Sequence, residues 1–102
     1  MLLGNALGLL FFLPMAVIEK KIWPEYFDAV VSGKKKYELR LNDFDAKVGD
    51  TLVLKEWNPE TKKYTGHSVE KKITYVGKFD INKLFWPKEE IEKRGLQIFS
   101  IE

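Results

Sequence analysis

The 102-residue sequence has no cysteine, a single histidine (His67) and only two arginines among its 17 basic residues. Without cysteine, disulfides and thiolate metal sites are impossible, and the composition fits a reducing, cytoplasmic compartment. With one histidine a histidine-rich metal centre is excluded as well, so we expect no metal and no cofactor. We assign His67 no role, because a lone loop histidine is more often structural or exposed than catalytic.

A strong charge imbalance is also missing, since 17 basic residues face 15 acidic ones and the net charge is +2. A nucleic-acid binder that relies on bulk electrostatics is usually far more basic, so any such role here must come from a local patch. Arg40 is the conspicuous residue, because its rigid fork can orient a carboxylate or a phosphate. A simple ion pair between Arg40 and a neighbouring carboxylate is the open alternative.

Residues 1–14 lack charge altogether and are rich in leucine and phenylalanine. The run is shorter than the roughly 20 apolar residues of a membrane span, and glycine and proline interrupt it, so we expect no membrane partner. A secretory signal would begin with basic residues, whereas the first lysine is Lys20. We interpret residues 1–14 as an extension upstream of a start at Met15, followed by one domain over residues 15–102. An apolar helix that covers the core or a partner is the alternative.

Local signals predict a strand over residues 16–22 and a helix over residues 24–32. Pro24 suits the first turn of that helix, and Gly33 supplies its end. Residues 36–41 then alternate in polarity, which predicts a strand with one core face and one charged face. The predicted core face carries Tyr37, Leu39 and Leu41, and the predicted charged face carries Lys36, Glu38 and Arg40.

Two further strands are predicted over residues 51–57 and 69–75, joined as an antiparallel hairpin. We expect Asp80 to cap a short helix, Pro87 to begin a second one, and residues 96–101 to close the sheet. This order predicts an α+β chain, mainly β, with about five or six strands. A small mixed β-barrel or strongly curled sheet with one crossing helix and short extra helices fits it best.

Five motifs in this order are distinctive: Ile22-Trp23-Pro24-Glu25-Tyr26-Phe27-Asp28-Ala29-Val30-Val31-Ser32-Gly33, Gly33-x-Lys35-x-x-Glu38-x-Arg40, Asn42-Asp43, Val48-Gly49-Asp50 and Tyr64-Thr65-Gly66. In these motifs, from about Ile18 onward, the chain resembles the small ASCH-domain proteins of the PUA-like superfamily. The resemblance implies a PUA-like β-barrel with a cleft beside the helix and the GxKxxExR segment. It also implies that the partner is RNA or a nucleotide-like small molecule.

In that binding hypothesis, Lys35 and Arg40 contact phosphate or base edges, and Glu38 accepts from an amino or hydroxyl group. Trp57 or Tyr64 offers a surface on which a base can stack. The alternative for each aromatic residue is a place in the core, because aromatic side chains dominate the cores of domains of this size.

Some compact ASCH proteins hydrolyse N4-acylated cytidine with the motif lysine, a threonine three residues later and a downstream glutamate. Lys35 matches the lysine, but Glu38 occupies the threonine position, and Glu89 and Glu90 are only candidates for the downstream carboxylate. The alternative function is therefore a small amidohydrolase in which Lys35 and Glu38 carry out acid–base chemistry.

Overall fold

The computed structural model describes residues 15–102, so the predictions made for residues 1–14 lie outside the described part of the chain. Two helices, three strands and one short 3₁₀ helix follow one another along it. They are β1 (Val17–Ile22), α1 (Pro24–Val31), β2 (Thr51–Asn58), β3 (Lys63–Lys72), the 3₁₀ helix (Ile81–Lys83) and α2 (Lys88–Arg94). Neither α-helix in this part of the chain has the length and apolar character needed to cross a membrane.

The three strands form one open sheet with β2 in the centre. β1 runs parallel to β2, with Ile22 opposite Glu56, and β3 runs antiparallel to β2, with Trp57 opposite Tyr64. A parallel pair needs a long crossover, and α1 together with the loop over residues 32–50 supplies it. The predicted antiparallel hairpin is confirmed, but its second strand is Lys63–Lys72 rather than residues 69–75.

The core lies between α1 and one face of the sheet. Phe27 and Val30, three residues apart on α1, pack against Ile22, Leu52 and Leu54 of the two parallel strands. Residues at this spacing share one helix face, which explains why the short helix buries only this stripe. Pro24 at the first turn and Gly33, at φ +79°, mark the helix ends as predicted.

Asp50 fixes the start of the sheet. Its buried carboxylate accepts hydrogen bonds from the backbone N–H of Ala16 at 3.0 Å and from that of Lys47 at 2.9 Å. Those two bonds, first Ala16 and then Lys47, hold the pKa of Asp50 below its ordinary value, against the opposing effect of burial. The carboxylate thus ties the chain before β1 to the residue that precedes β2.

The predictions for the carboxy-terminal third are partly confirmed. The Asp80 carboxylate accepts from the backbone N–H of Asn82 at 2.9 Å and so caps the 3₁₀ helix. Pro87 immediately precedes α2, as expected from its preference for helix starts. Residues 96–101, however, form no strand, so the prediction that they close the sheet is wrong.

The α+β class, mainly β, is confirmed, but the predicted count of five or six strands is not. Residues 15–102 contain an open sheet of three strands and no closed barrel. The predicted strand over residues 36–41 does not form, because its backbone finds no partner strand. Its apolar residues are exposed, from 38% at Tyr37 to 79% at Leu41, so the predicted core face is not a core face. Alternating polarity alone does not produce a strand when the backbone has no partner strand and the apolar side chains are not buried.

Candidate functional site

Three charged side chains that the sequence placed in one motif meet in the structure. One carboxylate oxygen of Glu38 (Oε1) lies 2.7 Å from Lys35 Nζ, and the other (Oε2) lies 2.7 Å from Arg40 Nε. The side chains of Lys35, Glu38 and Arg40 are 14%, 18% and 28% exposed, so all three are largely covered. We call this set the charge triad. Two cations share one carboxylate, which leaves the triad with one net positive charge.

The turn after α1 positions the triad. Lys35 donates its backbone N–H to the Ala29 carbonyl at 2.9 Å, which folds the chain back against the end of the helix. Lys35 Nζ also donates to the carbonyl of Tyr37 at 2.8 Å and lies 4.6 Å from the centre of the Tyr37 ring. The ammonium group is therefore fixed by a carboxylate, a carbonyl and an aromatic face.

Arg40 connects the triad to the sheet. Its Nη2 donates to the backbone carbonyl of Lys21, in β1, at 2.7 Å. The side chain of Lys21 in turn places its Nζ 4.5 Å from the Trp57 ring centre and 5.7 Å from the Tyr64 ring centre. Trp57 and Tyr64 face one another across β2 and β3. The predicted ligand-binding residues thus form one connected surface, with Lys21 as the link that the sequence did not reveal.

Two shallow depressions in residues 15–102 are lined by residues other than those of the triad. One is lined by Trp23, Pro24, Glu25, Asn58, Pro59 and Glu60, and the other by Ser32, Gly33, Lys34, Lys36, Ser100 and Glu102. The side chains of Lys35, Glu38 and Arg40 converge on one another rather than on an enclosed space. Within residues 15–102 no group of three or more histidine, aspartate or glutamate residues could hold a metal ion.

A second polar cluster was not foreseen from the sequence. Glu56, buried in the middle of β2, accepts from the Thr65 hydroxyl at 2.6 Å and lies 3.2 Å from Nδ1 of His67. The His67 ring stacks on Phe27, with 6.3 Å between ring centres. We call Glu56, Thr65 and His67 the Glu56 cluster. Two signals in the sequence could have indicated it: an acidic residue inside an apolar strand, and a glycine inside the partner strand.

The triad and the Glu56 cluster lie towards the same end of the sheet. Arg40 contacts β1 at Lys21, and the next residue, Ile22, pairs with Glu56. Trp57 follows Glu56 directly and pairs with Tyr64. The carboxyl ends of the two parallel strands therefore carry every feature of the site. This is the end of parallel strands at which ligands bind in open α/β sheets, although here only two strands are parallel.

Comparison with known proteins gives the family. Residues 17–85 match the domain of unknown function DUF3850, which is more than half of the chain. The chain belongs to the DUF3850 family. The matched region of this DUF3850 domain runs from β1 beyond the 3₁₀ helix, so it includes both the charge triad and the Glu56 cluster.

A curated relative of the DUF3850 domain comes from Escherichia phage P2 and is described as an uncharacterized 12.9 kDa protein in the GpA 3′ region. The two sequences are 45% identical over 58 residues, which is 57% of this chain and 51% of the relative. The chain thus spans about half the length of the curated relative that it matches.

Proposed function

We propose that this DUF3850 domain is a PUA-like, ASCH-type module that binds single-stranded RNA or a nucleotide through the surface formed by the charge triad, Lys21, Trp57 and Tyr64. The observation that carries the proposal is the chain of contacts from Glu38 through Arg40 and Lys21 to the two aromatic rings. Cations beside exposed aromatic faces are the combination by which proteins hold single strands, since phosphates need positive charge and bases need a stacking surface.

Each component has a defined part in the proposed complex. The Tyr64 side chain is more than half exposed, so one of its faces can receive a base. Lys21 now occupies the space over the Trp57 and Tyr64 rings, and an arriving base would displace its ammonium group towards a phosphate. Arg40 keeps its Nε on Glu38 and one N–H of Nη2 on the Lys21 carbonyl, so the N–H groups of Nη1 and the second N–H of Nη2 are left to contact the ligand.

The test is the affinity of a fluorescently labelled single-stranded RNA, measured by anisotropy at several salt concentrations. We expect Arg40→Ala and Tyr64→Ala each to weaken binding by about tenfold, because a stacked base or a charged hydrogen bond is worth about 1–3 kcal/mol. Arg94→Ala is the matched control, since Arg94 is the other arginine and lies on α2. Binding that survives both site substitutions would refute the proposal.

A second function, hydrolysis of an N4-acylated cytidine, is favoured by one contact. Lys35 Nζ lies 2.7 Å from Glu38 Oε1, and both side chains are less than one-fifth exposed, so the two groups that acid–base chemistry would use are in direct contact. The bond from Glu38 to Arg40 opposes this function, because it occupies the second oxygen of the carboxylate. Release of acetate from N4-acetylcytidine, lost in Lys35→Ala, is the expected result, and no turnover by the wild-type protein would exclude this function.

A further inference from the structure

The Glu56 cluster is built by an irregularity in the hairpin. Lys55 pairs with Ser68 and Trp57 pairs with Tyr64, so the single residue Glu56 stands opposite three residues, Thr65, Gly66 and His67. Gly66 has φ +95°, a left-handed conformation that side chains rarely adopt. The bulge brings both Thr65 and His67 to the one carboxylate, and bulges that re-aim side chains in this way are frequent beside functional sites.

The hydrogen bonds determine how His67 is presented. The backbone N–H of His67 donates to the Thr65 hydroxyl oxygen at 3.2 Å, while that hydroxyl donates to Glu56 Oε1. An ionised carboxylate only accepts hydrogen bonds, so the contact to Glu56 favours the imidazole tautomer that carries its proton on Nδ1. In a neutral imidazole the other nitrogen, Nε2, is then an acceptor. Stacking on Phe27 fixes the plane of the ring.

The cluster is not completed by the protein itself. The His67 side chain is 73% exposed, and no hydrogen bond within residues 15–102 reaches its Nε2. Both bonds to Glu56 end on Oε1, and a carboxylate in a largely buried position is unfavourable unless its charge is well satisfied. An apolar residue at position 56 would continue the core of β2 without this penalty. A buried charge that orients one exposed imidazole indicates a role towards a ligand.

We propose that Glu56 and Thr65 position His67 so that its Nε2 accepts a hydrogen bond from an N–H or O–H group of the bound strand, and this proposal rests on the nucleotide-binding function above. The donor is a ribose 2′-hydroxyl, an exocyclic base amine or a ring imino N–H, which are the neutral donors that RNA offers to such an acceptor. His67 thereby recognises either the ribose or the base, whereas the charge triad contacts the backbone.

The sheet allows a single RNA strand to reach both Tyr64 and His67. Tyr64 and His67 are three residues apart, which is at most about 10 Å of chain. Strand alternation places Trp57 on the other face of β2 from Glu56. β3 is an edge strand of the described sheet, so an RNA that stacks on Tyr64 passes around this edge to meet His67.

The first experiment uses the fact that the chain has one histidine, which gives a single imidazole signal in ¹⁵N-labelled protein. Two-bond ¹H–¹⁵N correlation spectra should show the proton on Nδ1 and none on Nε2. Glu56→Gln should shift the ring towards the opposite tautomer, because the amide can donate to Nδ1. A wild-type imidazole that carries its proton on Nε2 would overturn the proposal.

The second experiment measures binding of four labelled oligonucleotides: oligo-C and oligo-U, each as RNA and as DNA. His67→Phe keeps a ring over Phe27 but removes the acceptor, so we expect it to bind the preferred probe about five- to tenfold more weakly, the equivalent of one hydrogen bond. Thr65→Val should give a smaller loss, and Thr61→Val, in the hairpin turn, should give none. Thermal unfolding of each variant checks that the fold is retained.

The probes separate the three donors and the two proposals. A loss with both RNAs but neither DNA assigns the ribose hydroxyl, a loss with both oligo-C probes but neither oligo-U probe assigns the base amine, and a loss with both oligo-U probes but neither oligo-C probe assigns the imino N–H. If His67→Phe binds all probes as the wild type does while Arg40→Ala binds them weakly, the inference about His67 fails and the binding function stands. If the wild-type protein binds none of the probes, both fail.

Discussion

Glu38→Gln tests whether the charge triad is a structural as well as a recognition element. The substitution keeps the size of the side chain but removes the charge that Lys35 and Arg40 share at 2.7 Å each. The single oxygen of the glutamine amide can still accept a hydrogen bond from either Lys35 or Arg40, whereas its NH₂ group must face the other cation. The variant therefore loses one of two charged hydrogen bonds and places two donors in contact.

The size of the effect follows from the burial of the triad. A charged hydrogen bond contributes about 1.5–3 kcal/mol when covered and about 0–1 kcal/mol when it lies on the surface. The three side chains are 14–28% exposed, which places the triad between these limits. We expect Glu38→Gln to lower the free energy of unfolding by about 1 kcal/mol. For a domain of this size that corresponds to a fall in Tm of about 4–8 °C.

The chain contains a matched control in α2. Arg94 Nε lies 2.7 Å from Glu90 Oε2, the same atoms at the same distance as in the pair of Arg40 and Glu38, but with side chains 69% and 47% exposed. Glu90 also lies in the first turn of α2, where a negative charge is favourable. The loss of stability in Glu90→Gln therefore includes this interaction as well as the exposed ion pair, and is an upper limit for the pair alone. Thermal and urea unfolding of both variants should show the larger loss for Glu38→Gln. A loss no larger than that of Glu90→Gln would refute the reasoning from burial.

Two further predictions concern the sheet. Because the pKa of Asp50 is lowered in the folded state by its bonds to the Ala16 and Lys47 backbone, this carboxylate stabilises the fold above its unfolded pKa, and the contribution disappears as pH falls through the folded value. The difference in unfolding free energy between the wild type and Asp50→Asn should therefore shrink on acidification, and a pH-independent difference would contradict it. Leu54 is the most buried side chain of the core, so Leu54→Ala should lower the free energy of unfolding, measured in urea, by about 2–5 kcal/mol. A loss below about 1 kcal/mol would show that the core lies elsewhere.

The elements that depend on local chemistry were predictable from the sequence. Pro24 and Gly33 mark α1, the turn residues between β2 and β3 mark the hairpin, and Asp80 caps the 3₁₀ helix. The segment over residues 36–41 was not predictable, because a strand needs a partner and alternation says nothing about whether one is present. There Glu38 and Arg40 are largely covered while Leu39 and Leu41 are exposed, the reverse of the expectation for these four side chains.

The candidate site was predictable to a similar degree. The motif predicts that Lys35, Glu38 and Arg40 converge, and the structure brings their side chains into contact with one another. From the sequence we assign His67 no role, because a lone loop histidine is more often structural or exposed than catalytic. Its partner Glu56 is eleven residues away in the sequence, and only the bulge at Gly66 brings the two into contact.

Two buried carboxylates, Asp50 just before β2 and Glu56 within it, show where this fold is structural and where it is free to bind. Both oxygens of Asp50 accept from backbone N–H groups, so this carboxylate serves to hold the chain together. Glu56, near the other end, receives a hydroxyl and an imidazole, both from side chains and both on one oxygen. A group that serves only the fold gains most from backbone partners, which do not depend on side-chain rotamers. Glu56 instead orients an exposed ring, and therefore the end of the sheet at Glu56, Trp57 and Arg40, rather than the end at Asp50, is where a ligand should be sought.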